Sequence, residues 1–254
     1  MARRRDTRIF GPGPYVVGLR REGGWGSGFP FDVPAIAAVE ELQLDRPVTL
    51  LAGENGSGKS TILEAVAEAI GFAEQGGELE RMGELPAVPH NVLGGALAPM
   101  LTGTKPRNGY YLRAESFFNI ARLIDHDDRL AIYGDVPMHQ QSHGESFLSL
   151  AANRFGRDGL YLLDEPEAAL SVSGELALLA VIARAASAGA QFVVATHSPI
   201  LLACRDARVY ELDGSGVATP DYDDLQAVSL TRGFLAAPER YLRALDSDAL
   251  EEDG

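Results

Sequence analysis

"LLAGENGSGKST" (residues 50–61) decides how this chain folds. An apolar run enters a glycine-rich turn that ends on a lysine and two hydroxyls. The turn "GENGSGKS" (53–60) fits the spacing G-x-x-x-x-G-K-[ST]. "RPVTLLAGE" (46–54) before it reads as a strand covered on both faces. "STILEAVAEAIGF" (60–72) after it reads as a helix with Ile62, Val66, Ala69 and Ile70 on one side. Gly56 and Gly58 let the backbone curl so that successive N–H groups face inward. The helix start adds its positive dipole end. Lys59 supplies a compact cation for β- and γ-phosphates, Ser60 a hydroxyl for Mg²⁺, and Thr61 a reach to the α-phosphate. Gly53, Glu54, Asn55, Gly56, Ser57, Gly58, Lys59, Ser60 and Thr61 are therefore the expected set for a nucleoside triphosphate.

Working outward, "YVVGLRRE" (15–22), "GLYLLDEP" (159–166), "QFVVATHSP" (191–199) and "ARVYELDGSG" (207–216) read as strands. "ESFLSLAANRFG" (145–156) and "SGELALLAVIARAASAG" (173–189) read as helices. "NGYYLRAESFFNIARLID" (108–125) reads as a strand passing into a helix. Residues 73–108 are rich in Gly and Pro without a period and read as irregular. Alternating strands and helices give an α/β fold: a mostly parallel sheet flanked by helices, with a small helical or irregular lobe. One domain is expected over residues 1–240, with the lobe at about 73–158. Residues 241–254 read as an acidic, disordered tail.

Three further stretches carry chemistry. "LYLLDEP" (160–166) ends a buried strand with Asp164 and Glu165. In a parallel sheet that end lies near the loop at 53–61. Asp164 would support Mg²⁺ directly or through water, and Glu165 would orient and deprotonate an attacking water. His197, at the end of "VVATHSP", could bond the γ-phosphate; taken alone it reads as a strand-end histidine capping a turn. "QQSHGESFL" (140–148) puts Ser142, Gly144 and Glu145 at a helix start, a second anion site. One chain needs one such site per nucleotide; two chains placed head to tail use both.

The formal charge of −14 argues against indiscriminate binding of DNA, RNA or anionic lipid. Arg3, Arg4, Arg5 and Arg8 cluster at one end, which leaves a local basic contact with DNA or a protein partner open. Cys204 is the single cysteine, which excludes an internal disulfide. No apolar run approaches the roughly 18 residues of a membrane helix, so no direct membrane insertion is expected, and the single cysteine points to a reducing, cytoplasmic setting.

In order, the chain shows "GENGSGKST", "SHGES", "LYLLDEP", "EAALS" (167–171) and "ATHS". It resembles the ATP-binding-cassette ATPase superfamily. Within that superfamily it is similar to the soluble branch of chromosome-maintenance, RecF-like and overcoming-lysogenization-defect-like ATPases. The resemblance spans about Tyr15 to Leu212. It implies ATP and Mg²⁺ as ligands and an ATP-dependent homodimer. It also implies Glu165 and His197 as catalytic residues, and Ser142, Gly144 and Glu145 as a signature acting in trans. Ser60 and Asp164 would be metal ligands, and Ser171 would stand in the loop at the dimer interface. No glutamine stands at the expected metal-sensing loop, where Glu115 is the candidate. The adenine-stacking aromatic is unassigned, with Tyr15 and Phe10 near the right end of the chain.

Three functions fit these residues: an ATPase, a slow-turnover ATP-dependent clamp on DNA or protein, and a transporter's nucleotide-binding subunit. His139 and His143 share an i, i+4 spacing but lack a third ligand, and "IDHDDR" (124–129) reads as a solvated helix end.

Overall fold

A computed structural model of the chain describes residues 9–22, 24–73, 76–79, 93–113 and 143–251. The first half contains β1 (Ile9–Phe10), β2 (Val16–Arg21), α1 (Pro34–Ala37), β3 (Glu41–Gln43), β4 (Val48–Ala52) and α2 (Lys59–Ile70). Then come β5 (Gly77–Glu78), β6 (Leu97–Leu101), β7 (Thr104–Lys105), β8 (Asn108–Arg113), α3 (His143–Arg154) and β9 (Gly159–Asp164). The last part contains α4 (Val172–Ser187), β10 (Gln191–Ala195), β11 (Arg208–Asp213), β12 (Gly216–Ala218), α5 (Gln226–Ala236) and α6 (Pro238–Glu251).

The apolar runs become the middle of a seven-stranded sheet of order β12-β11-β4-β10-β9-β8-β5. β11, β4, β10, β9 and β8 run parallel, and β12 and β5 pair antiparallel at the edges. Every residue of β4, β9 and β10 is buried. Alternate side chains serve different cores. Leu51, Leu162 and Val193 pack with Ile62, Leu63 and Val66 of α2 on one face. Leu50, Leu163 and Val194 pack with Phe147 and Leu150 of α3 and Leu178 and Ile182 of α4 on the other. Covering both faces is what removes the polar alternation from these runs.

A second, antiparallel sheet of order β3-β2-β6 lies over the α2 face, its Val16, Leu19 and Leu42 sharing that core. Gln191 ties the two sheets together. Its fully buried amide accepts from the backbone N–H of Tyr15 (2.8 Å) and Val16 (3.1 Å). It donates to the carbonyls of Val16 and Leu44, both at 2.7 Å.

Two expectations change. The stretch 73–108 is not without strands: β6 completes the antiparallel sheet beside β2, and β5 caps the main sheet beside β8. Short strands recruited by neighbours carry no period of their own. The stretch from 241 is helical through Glu251, because its Leu, Ala, Arg and Glu residues favour a helix despite the acid excess. Tyr241 packs edge-on against Phe234 of α5, centroids 5.8 Å apart. No helix of the described residues is long and apolar enough to cross a membrane.

Replacing Gln191 with Ala strands four buried backbone groups, each worth about 1–3 kcal/mol when unsatisfied. Urea unfolding should show a loss of at least about 3 kcal/mol; a loss below about 1 kcal/mol would mean the sheets are joined by apolar packing alone.

Candidate functional site

The parallel register brings the carboxyl ends of the central strands to one edge. Asp164 pairs with Ala195 of β10 on one side and Arg113 of β8 on the other, and Ala195 pairs with Leu51 of β4. The chain leaves β4 through the glycine turn and enters α2 at Lys59. Gly53, Gly56 and Gly58 have φ of 142°, 83° and 100°, a region that L side chains rarely adopt. At Gly53 a Cβ would also collide with the Leu212 carbonyl.

Lys59 is buried, and its Nζ donates to the carbonyls of Gly53 (2.8 Å) and Glu54 (2.9 Å). It lies 3.7 Å from Glu165 Oε1. Ser60 Oγ donates to Asp164 Oδ1 at 2.8 Å. Arg113 bridges two acids: its Nη2 is 2.8 Å from Glu64 Oε1 and its Nε 3.9 Å from Asp164 Oδ2. Burial pushes the Asp164 carboxyl up to about 6, against the Ser60 hydrogen bond and the Arg113 charge. A buried carboxylate beside a partly exposed hydroxyl suits a hard divalent cation that takes its other ligands from phosphate and water. Among the described residues no three His, Cys, Asp or Glu side chains form a separate metal cluster.

Glu165 follows with φ 46° and ψ 52°, a left-handed conformation costing roughly 1–2 kcal/mol for a non-glycine residue. The turn aims its carboxylate out of the strand. His197 Nδ1 lies 3.8 Å from Glu165 Oε1 and 3.3 Å from Glu167 Oε1.

A cleft of about 570 Å³ is lined by Asn55, Gly56, Gly58, Lys59, Ser60, Thr61, Asp164 and Glu165, with Phe29, Val33, Arg113 and Ala168 completing its walls. Gly53 closes the turn behind it, and Glu54 and Ser57 face a second depression with Asp213, Ser215 and Gln226. Gly144 and the exposed Glu145 start α3 and do not line the cleft. Gly144 abuts the turn Pro166–Ala169, where a Cβ would stand 3.0 Å from the Ala169 carbonyl. Ser142, Glu115, His139 and the arginines at 3–5 and 8 lie outside the described residues.

Sequence reasoning missed three residues. Arg113 could have been found from its place at a strand end beside Asp164. Glu167 could have been found as a third acid after it. Phe29, 77% exposed at the cleft rim, sits in a loop whose path nothing local dictates. Tyr15 is buried, its hydroxyl donating to the Gly11 carbonyl at 2.9 Å, so its ring is not open to a base.

Residues 36–78 match the family described as an AAA domain. The cytochrome c biogenesis ATP-binding export protein CcmA of Nitrobacter winogradskyi is 29% identical over 171 residues, covering 63% of this chain and 82% of that protein. The protein of the same name from Rhodopseudomonas palustris is 30% identical over 168 residues, with the same coverage of 63% and 82%. Among solved structures, cbiO1 from Clostridium perfringens, part of the ABC transporter complex cbiONQ, aligns with a TM-score of 0.50 at 15% identity. The alignment covers 89% of this chain and 97% of cbiO1, a likeness of fold.

The raised Asp164 pKa fixes a sign. The folded protein holds this proton more tightly than the unfolded chain does, so the group costs stability as pH rises from 3.8 towards about 6. Asp164→Asn, without nucleotide or magnesium, should therefore be more stable than the parent by about 2–3 kcal/mol at pH 8 and by well under about 1 kcal/mol at pH 4. Urea unfolding at the two pH values measures this; equal stability at both would remove burial as the dominant influence on Asp164.

Proposed function

The chain belongs to the P-loop ABC-type ATPase superfamily, and we propose that it binds Mg-ATP and hydrolyses it within a head-to-tail homodimer. The observation that carries this is the convergence of Lys59, Ser60, Asp164 and Glu165 in one cleft beside a glycine turn. One nucleotide-binding unit over residues 1–240 supplies both halves of the machinery, with the signature helix in 73–158.

The turn residues Gly53 to Thr61 wrap the phosphates with inward N–H groups. Lys59 exchanges its carbonyl partners for β- and γ-phosphate oxygens. Ser60 and Asp164 would hold Mg²⁺, which would supply positive charge against the phosphates, and Glu115 is the candidate for a further ligand. The exposed Phe29 ring offers an aromatic surface to the base. Glu165 accepts a proton from a water whose oxygen bonds to the γ-phosphorus as the bond to ADP breaks. His197 donates to the γ-phosphate. Ser142, Gly144 and Glu145 of the second copy close the site in trans, which accounts for Gly144 and Glu145 not lining the cleft of their own chain.

The relatives' names favour a second reading, in which the same ATPase serves as the nucleotide-binding subunit of a transporter with a separate membrane protein. The two readings share the site and differ in the partner. Co-purification with a membrane fraction would favour the second.

Two variants test the site. Lys59→Ala should abolish binding of Mg-ATP followed by a fluorescent analogue; unchanged affinity would contradict the phosphate role. Glu165→Gln should bind Mg-ATP normally and hydrolyse it at least about 100-fold more slowly. Normal turnover would remove Glu165 as the base.

A further inference from the structure

We infer that Glu167 is a positioning residue that fixes the His197 imidazole for the hydrolytic step. The inference rests on the ATPase reading above and adds a residue to it. Glu167 lies in the turn Pro166–Ala169, two residues beyond Glu165, and is buried. Its Oε1 accepts from Thr196 Oγ1 and from the His197 backbone N–H, both at 2.7 Å. The same oxygen stands 3.3 Å from His197 Nδ1. Its Oε2 is buried with no hydrogen-bond partner among the described residues.

A neutral acceptor would serve the Thr196 hydroxyl and the backbone amide equally well. A carboxylate adds what a neutral acceptor would not, an oxygen that also faces the imidazole Nδ1 at 3.3 Å. Keeping Nδ1 against Glu167 fixes the ring orientation and leaves the Nε2 edge for the γ-phosphate. It also keeps Nδ1 beyond hydrogen-bond distance of Glu165, whose oxygen is 3.8 Å away, so Glu165 stays free to meet water.

A second contact makes the arrangement rigid. The Ser198 hydroxyl donates to Glu175 of α4, and the Ser198 N–H donates to Thr196 Oγ1 at 3.0 Å. The loop 196–198 is thereby bolted to the segment 167–175 at both of its ends. That segment includes Ser171, so movement of this surface carries His197 with it.

The test combines Glu167→Gln and Glu167→Ala with His197→Ala. In the parent background each Glu167 variant should lower kcat about 10–100-fold, with KM for Mg-ATP changed less than about twofold. In the His197→Ala background the same changes should cost less than about twofold. An equal loss in both backgrounds, or no loss in the parent, overturns the inference. A second readout is independent of turnover: in histidine ¹⁵N-labelled protein, the His197 Nδ1 resonance should move in Glu167→Gln, which is close to isosteric. An unmoved resonance overturns the inference even in an active ATPase. A parent that hydrolyses no ATP overturns the reading above instead, and the resonance still decides whether Glu167 holds the ring.

Discussion

A single hydrogen bond, Ser60 Oγ to Asp164 Oδ1, joins groups 104 residues apart in the chain, and the rest of the structure serves to make it. It requires β9, β10 and β4 to run parallel in adjacent places with their ends level. It requires α2 to begin directly above β4, which the glycine turn achieves. Both cores follow: α2 and the antiparallel sheet cover one face, and α3 and α4 cover the other. A buried carboxylate at the floor of a cleft would be a poor choice for stability alone. The pKa raised to about 6 records that cost, and a divalent cation with phosphate would offset it.

The charges around this bond are arranged in layers. Lys59 rests on the carbonyls of its own loop and within 3.7 Å of Glu165. Arg113 sits between Glu64 and Asp164 on the far side. His197 is held by Glu167. Asp164 meets Ser60, Glu165 lies nearest Lys59 and Glu167 lies nearest His197, so the single turn that follows β9 separates the three acids. Strain at Glu165, with φ 46°, is the backbone device that points successive acids in different directions.

The glycine turn, the strand–turn–helix unit and the acids at 164 and 165 were legible because each obeys a local rule: fixed spacing, apolar run, helical period. The central strands were equally plain, since strands buried on both faces have no polar interruption. The short strands β5 to β7 were not legible, because they exist only through pairing with β8, β2 and β1. Phe29 and Arg113 reach the cleft through tertiary placement, which no local pattern announces. Glu167 stood in view within "DEPEAALS", but its partner lies thirty residues on and is brought close only by the parallel pairing of β9 and β10. The acidic composition of the tail from 241 conceals the helix formers that carry α6 to Glu251.

Under the proposed head-to-tail arrangement the cleft of one copy is half a site. Its walls come from the glycine turn and the end of β9, while Gly144 and Glu145 face elsewhere. The most direct measurement is the mass of Glu165→Gln in solution by light scattering, with and without Mg-ATP. The account predicts a monomer that becomes a dimer when Mg-ATP is added, and a Gly144→Asp derivative that binds ATP but stays monomeric. A protein that binds Mg-ATP with no change of mass, while the parent turns ATP over, would contradict it.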